Sequence, residues 1–144
     1  MNGTTTLTFT LTNPNTGTAL TGVGFTDTLP DGLTVASPNG LTGSCGGGTI
    51  SAAAGATSVS LAGATLAAST SCTFAVNVVA TSAGAKNNTT GTVTSTQGGP
   101  GATASASITV GASSIPTLSS WVFALLAVML AMLALRALRA RGTS

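Results

Sequence analysis

Histidine, glutamate and tyrosine are absent from the 144-residue chain, and aspartate occurs only at Asp27 and Asp31. General acid–base catalysis draws on histidine or paired carboxylates, and a nucleophile needs a neighbouring base. Neither can be assembled here, so the composition points away from an enzyme and offers no catalytic or cofactor-binding residue. Two cysteines with no histidine and no carboxylate cluster cannot complete a tetrahedral shell, so no metal site is expected. Charge is scarce as well. Charged residues are 4% of the chain, against about a quarter in an average soluble domain. Three of the four basic residues crowd into Arg136–Arg141, which leaves Lys86 as the only cation before Ser114. Neutralising phosphates takes several clustered Lys or Arg, so nucleic acid is excluded as a partner.

What the chain has in plenty is threonine, glycine and small apolar residues in period-two order. "TTTLTFTLT" from Thr4 to Thr12 puts Leu7, Phe9 and Leu11 on one side and threonines on the other, the pattern of a half-buried antiparallel strand. "NPNTG" supplies turn residues, and the next run places Val23, Phe25 and Leu29 on one face. In "LPDGL", Pro30 suits the second position of a type I turn and Gly32 the exit. Leu33 and Val35 open another short strand, and "SPNGLTGSCGGG" from Ser37 to Gly48 reads as a loop. Short strands follow around Ile50 and Val59–Leu61. The clearest later strand is Ser71–Thr81, with Cys72, Phe74, Val76 and Val78 in phase. Two more alternating segments close the series, the last with Ala104, Ala106, Ile108 and Val110 in phase. About seven short strands separated by turn residues, with no helical periodicity before Ser114, define an all-β antiparallel sandwich over residues 3–110. Its expected core is Leu7, Phe9, Leu11, Val23, Phe25, Leu29, Val35, Leu61, Phe74, Val76, Val78, Val93, Ile108 and Val110, thin for its length.

Cys45 and Cys72 fit neither a zinc knuckle nor a redox C-x-x-C motif. Read as a pair in a polar chain they suggest a disulfide made in an oxidising compartment, worth about 3 kcal/mol by loop closure. Read as buried hydrophobes they are two free thiols.

The stretch "LTFTLTNPNTGTALTGVGFTDTLPDGL" resembles the Ig-like conserved repeat domain of bacterial cell-surface proteins, through Asn13, Gly17, Asp27, Leu29, Pro30, Gly32 and Leu33. The later "LAASTSCTFAVNVVATSAGAKNNTTGTVTS" resembles its second half. The resemblance implies an Ig-like β-sandwich used as a stalk or adhesive module, without catalysis, whose partners are extracellular glycans or neighbouring repeat domains. Two readings of Asp27 stand side by side. It assists an isopeptide bond between Lys86 and an asparagine, or it accepts backbone N–H groups in the turn before Pro30. The threonine rows likewise read either as a glycan- or ice-binding face or as the residue that suits an exposed strand where charge is scarce. The glycine-rich loop at Ser37–Gly48 is a second candidate for glycan contact.

The chain closes on "IPTLSSWVFALLAVMLAMLALRALRAR". No polar residue interrupts Trp121–Leu135, and the 21 residues of Leu118–Leu138 just reach the ~30 Å hydrocarbon core at ~1.5 Å per residue if Arg136 snorkels. Residues 118–138 are therefore expected to form a transmembrane helix, after a linker over 111–117 and before a basic cytoplasmic tail over 139–144. Trp121 suits an interfacial anchor. Arg136, Arg139 and Arg141 form the stop signal and, by the positive-inside rule, place the β domain outside the inner membrane. Ile115, Pro116, Thr117, Leu118, Ser119 and Trp121 resemble the Gram-negative IPTL-type carboxy-terminal sorting signal, with Ser120 and Val122 in place of its usual acidic residue and glycine. That resemblance implies processing by an exosortase, an integral membrane thiol protease, and delivery to the cell surface or the extracellular space. Export needs a signal, yet Met1 runs straight into a strand, so the sequence reads either as the C-terminal module of a larger adhesin or stalk or as a reading frame with a misplaced start, with the tail acting as a sorting signal or as a permanent anchor.

Overall fold

The computed structural model describes residues 3–112. The expected tail helix, the sorting motif at Ile115–Trp121 and the arginines at 136, 139 and 141 lie outside the described residues. Residues Met1–Ser113 form one compact unit by themselves. Its strands are β1 (Thr4–Thr12), β2 (Leu20–Thr28), β3 (Leu33–Val35), β4 (Thr42–Ser44), β5 (Thr49–Ser51), β6 (Ser58–Leu66), β7 (Ser71–Ala80), β8 (Gly84–Thr89), β9 (Thr94–Ser95), β10 (Gly99–Pro100) and β11 (Ser105–Val110). There is no helix among the described residues, and all pairings are antiparallel. The all-β expectation is thus met, with eleven strand segments where about seven were expected. The additions are mostly two- or three-residue strands of Thr, Gly and Ser, too short for alternation to register.

Three sheets carry these strands. The first has the order β1-β7-β3, with β4 also paired to β7; the second runs β10-β9-β2-β6-β5; the third is the β8–β11 pair. The inner faces of the first two meet in one core. Phe9 and Phe74 stack with centroids 5.0 Å apart, and Phe9 reaches across to Phe25 of the second sheet at 5.3 Å. The period-two reading holds where a strand is regular. Phe9 and Leu11 are buried on β1, and Phe74, Val76, Val78 and Ala80 on β7. It breaks at paired irregularities in β2 and β6, whose register shifts around Val23. There Gly22 and Gly63 take positive φ. The buried phase of β6 consequently moves from Val59 and Leu61 to Ala64 and Leu66, and the strand runs through the shift without ending at Leu61.

Two expectations are corrected. The Ser37–Gly48 segment is not all loop, because Thr42–Ser44 pairs with Thr73–Ala75 of β7. Ile108 is not core: β11 pairs only with β8, five of its six residues are exposed, and Ile108 is 38% exposed. Leu7, Val93 and Val110 are partly buried against the core, which also takes in Leu33, Val59, Ala64 and Leu66.

Candidate functional site

The main polar feature of the interior is built from β2, β8 and the turn after β2. On β2 the inward phase is Val23, Phe25, Asp27, so the carboxylate faces the core and is fully buried. On β8 the inward residues are Lys86 and Asn88, both 7% exposed. Asn88 Nδ2 donates to Asp27 Oδ2 at 2.7 Å. Asp27 Oδ1 and Asn88 Oδ1 are buried and have no hydrogen-bond partner. Burial pushes the Asp27 carboxyl above its ordinary 3.8, and the bond from Asn88 offsets part of that rise.

This arrangement corrects the reading of Asp27 as a cap on the turn. The turn bonds itself: Leu33 N donates to Pro30 O at 3.0 Å, and Gly32 has φ of 80°. Pro30 is therefore the first residue of the turn, and Gly32 fills the third position, where a type II turn needs positive φ. Asp27, three residues before Pro30, points inward with its strand. Leu29 and Leu33 flank the turn and are buried.

Lys86 does not engage Asp27. Its ammonium donates to Asp31 O at 2.9 Å and to Ser82 Oγ at 2.7 Å. Both atoms lie at the rim, so the aliphatic stem is buried while the charge keeps polar partners. The amine and the Asn88 amide face inward from one strand two residues apart, each held by a different partner, and this gives no support to an isopeptide bond.

Cys45 and Cys72 form a disulfide, with Cα atoms 5.0 Å apart. The β4–β7 register, in which Ser44 faces Thr73, puts Cys45 opposite Cys72 one step further on. Directly after Cys45 the chain crosses between sheets. Gly48 N donates to Cys45 O, and Thr65 N of β6 donates to Gly46 O. The bridge therefore pins the crossover from the first sheet to the second.

The remaining candidates are a face and a groove. Threonines of β1 are engaged across the strand pair, Thr6 with Asn77, Thr10 with Thr73 and Thr12 with Ser71, so these hydroxyls already have partners. A groove of about 600 Å³ runs between β1 and the Gly98–Ala106 stretch, floored by Leu7, Phe9, Leu11, Leu20, Phe25 and Val93. Sequence reading took Asn13 only as a turn residue of the family pattern, whereas it is fully buried. Its Nδ2 donates to Thr18 O, Leu66 O and Ala67 O, and its Oδ1 accepts from Asn15 N and Nδ2. One side chain thereby fastens the turn after β1 to the end of β6. Its place in an N-x-N turn signals local bonding and gives no hint of the distant carbonyls.

These features define a disulfide-bridged, all-β module with almost no charge on its described surface. Residues 1–110 match the family model described as a domain of unknown function, DUF7933, and the chain belongs to that family. The match does not name the Ig-like conserved repeat family that the sequence resembles. Residues 113–140 match the IPTL-CTERM motif, the C-terminal sorting signal of an exported protein that is processed at the membrane by an exosortase-type system and reaches the cell surface. Neither the curated proteins nor the solved structures gave a match.

Proposed function

We propose that the protein is a non-enzymatic surface or extracellular-matrix component, an Ig-like module of a larger adhesin or stalk in a Gram-negative cell, delivered by its sorting tail. The observation that carries this reading is the IPTL-CTERM match at residues 113–140 directly behind a compact β unit. The Cys45–Cys72 bridge supports it, since such bonds persist in oxidising compartments outside the cytoplasm. In this reading residues 118–138 span the inner membrane, Arg136, Arg139 and Arg141 stay on the cytoplasmic side, and an exosortase cuts near Ile115–Trp121. A Pro-containing segment at the membrane surface is open to such a protease, whereas backbone in a helix or sheet is not.

The glycan-binding alternative has less behind it. Threonine hydroxyls of β1 that a sugar would use bond to neighbouring strands, and the groove presents mainly apolar floor where a glycan needs convergent polar groups. The deciding experiment is the intact mass of the surface-exposed protein. Loss of the segment carrying Arg136–Arg141 is expected, and retention of Arg141 in that form defeats sorting by cleavage and leaves a permanent anchor.

A further inference from the structure

We propose that Asp27 and Asn88 form a buried acid–amide pair that holds one proton, and that this proton latches the β8–β11 strand pair onto β2. The geometry leaves two buried oxygens, Asp27 Oδ1 and Asn88 Oδ1, without partners, while the other two atoms of the same two groups are joined at 2.7 Å. Two lone orphan acceptors in an otherwise bonded interior call for a donor. A hydrogen on Asp27 Oδ1 satisfies both at once. It turns the acid into a donor to Asn88 Oδ1 while Oδ2 goes on accepting from Nδ2, closing a cyclic pair of two parallel hydrogen bonds.

The charged form has little to recommend it. A carboxylate with 0% exposure, one hydrogen bond and no cation is costly to bury, and such a group neutralises instead. The only other charged side chains among the described residues are Asp31 and Lys86. Asp31 is exposed on the turn, and Lys86 is spent on Asp31 O and Ser82 Oγ. The strands β1, β3, β6 and β7 carry no titratable side chain apart from the bridged Cys72, which does not titrate. The raised Asp27 carboxyl agrees with this.

The pair lies where it matters mechanically. The β8–β11 sheet has no strand pairing to either main sheet. Its ties to β2 are the Asp27–Asn88 contact and, just beyond β8, the bond from Gly91 N to Thr26 O at 2.8 Å, one residue along from Asp27, while the link from β8 to β11 carries β9, which pairs with β2 at Gly24. β11 is also the last strand before the sorting motif in sequence. Ionising Asp27 would leave Asn88 Oδ1 facing a carboxylate with no proton between them, and would loosen the β8–β11 pair while the main sheets keep their core.

The linkage sign follows from the direction of the shift. A carboxyl whose folded value lies above 3.8 stabilises the fold fully below 3.8 and loses that contribution as pH rises through the folded value. In that window the folding equilibrium constant falls about tenfold per pH unit, because the folded state holds one proton more than the unfolded chain. The test uses residues 1–112, which carry their own core. It combines NMR titration of the Asp27 side-chain carboxyl with urea unfolding across pH, for the wild type and for Asp27→Asn. The asparagine mimics the neutral acid, donating to Asn88 Oδ1 and accepting from Nδ2, and its loss of the resonance assigns the signal. A carboxyl that stays protonated well above 3.8, a wild-type stability that declines with pH, and a flat Asp27→Asn profile are expected. Faster exchange of the Gly91 and β8 amides with rising pH in the wild type, measured relative to Asp27→Asn, marks the latch. An Asp27 ionised throughout the range above 3.8, or the same pH slope in Asp27→Asn, overturns the proposal. Stability that rises with pH and with added monovalent cation also overturns it, since an ion would then bridge the two oxygens. Asp27→Ala strips Asn88 of its partner and confounds the latch with a packing defect, so the isosteric variant carries the decision.

Discussion

Breaking the Cys45–Cys72 bridge is the perturbation whose size the fold lets one work out. The cysteines are 27 residues apart in sequence, and freeing a loop of that length returns entropy to the unfolded chain equivalent to about 3.5 kcal/mol at 25 °C. Net stabilities of single domains run about 5–15 kcal/mol, so reduction should remove a quarter or more of the margin. With a urea m-value of about 2 kcal/mol/M, the midpoint of the 1–112 fragment should fall by about 1.5–2 M on adding reductant. Replacing both cysteines by alanine costs about 1 kcal/mol more, because Cys45 is fully buried and its sulfur leaves a void. The m-value should rise as well, since the cross-linked unfolded chain is more compact than the free one. Hydrogen exchange should speed up first at Gly48 and Thr65, whose amides bond to Cys45 O and Gly46 O across the sheet crossover. Coincident urea curves with and without reductant would refute the reasoning. A lower midpoint with unchanged m would place the stabilisation in native packing and remove the loop-entropy account.

Asn13→Ala should destabilise the β unit by about 2–3 kcal/mol in urea titrations, because it removes a fully buried side chain that donates to Thr18 O, Leu66 O and Ala67 O. Phe74→Ala should cost about 3–5 kcal/mol by the same assay, since the ring is 1% exposed and packs on Phe9 and Phe25, while Phe74→Leu should cost clearly less. Replacing Pro116, Thr117 and Leu118 together by alanine should leave the protein in the membrane at full length, with Arg141 present in its intact mass; continued processing would show that the block is not what the protease reads.

The strands that alternation could find were those in which one face is covered along its whole length. β1 and β7 meet that condition, and Phe9, Leu11, Phe74, Val76 and Val78 fall where period two puts them. β6 meets it only in halves, because the irregularity at Ala62–Gly63 swaps its buried phase, and a glycine pair of steps between two short apolar runs looks in sequence like a strand end. β11 fails for the opposite reason. Its alternation is real, but alternation reports a difference between two faces and cannot say how far the greasier one is covered, and here only Val110 at the strand's end is partly buried against the core. The disulfide was open between two readings in sequence, because only the β4–β7 register brings residue 45 opposite residue 72.

Asp27 shows why a charged residue in a regular pattern should be read with the pattern. Val23, Phe25, Asp27 and Leu29 share one phase, and the identity of the third as a carboxylate argued for a turn position that the phase itself contradicted. The signal that would have resolved the conflict was a second polar run in phase, Lys86 and Asn88 on β8, since two strands that each turn polar groups inward need each other as partners. A chain with so few charges cannot rely on a salted surface to hold its outer strand pair in place. It fixes its weak points from inside: a bridge where the chain changes sheets, an asparagine that serves three carbonyls where β1 turns, and an acid–amide contact where the β8–β11 pair meets β2. Each is a polar or covalent tie at a place where the thin apolar core ends. Substitutions at these buried ties should therefore be costlier than those at the exposed threonines on the outer faces, whose hydroxyls can turn to water when a partner is lost.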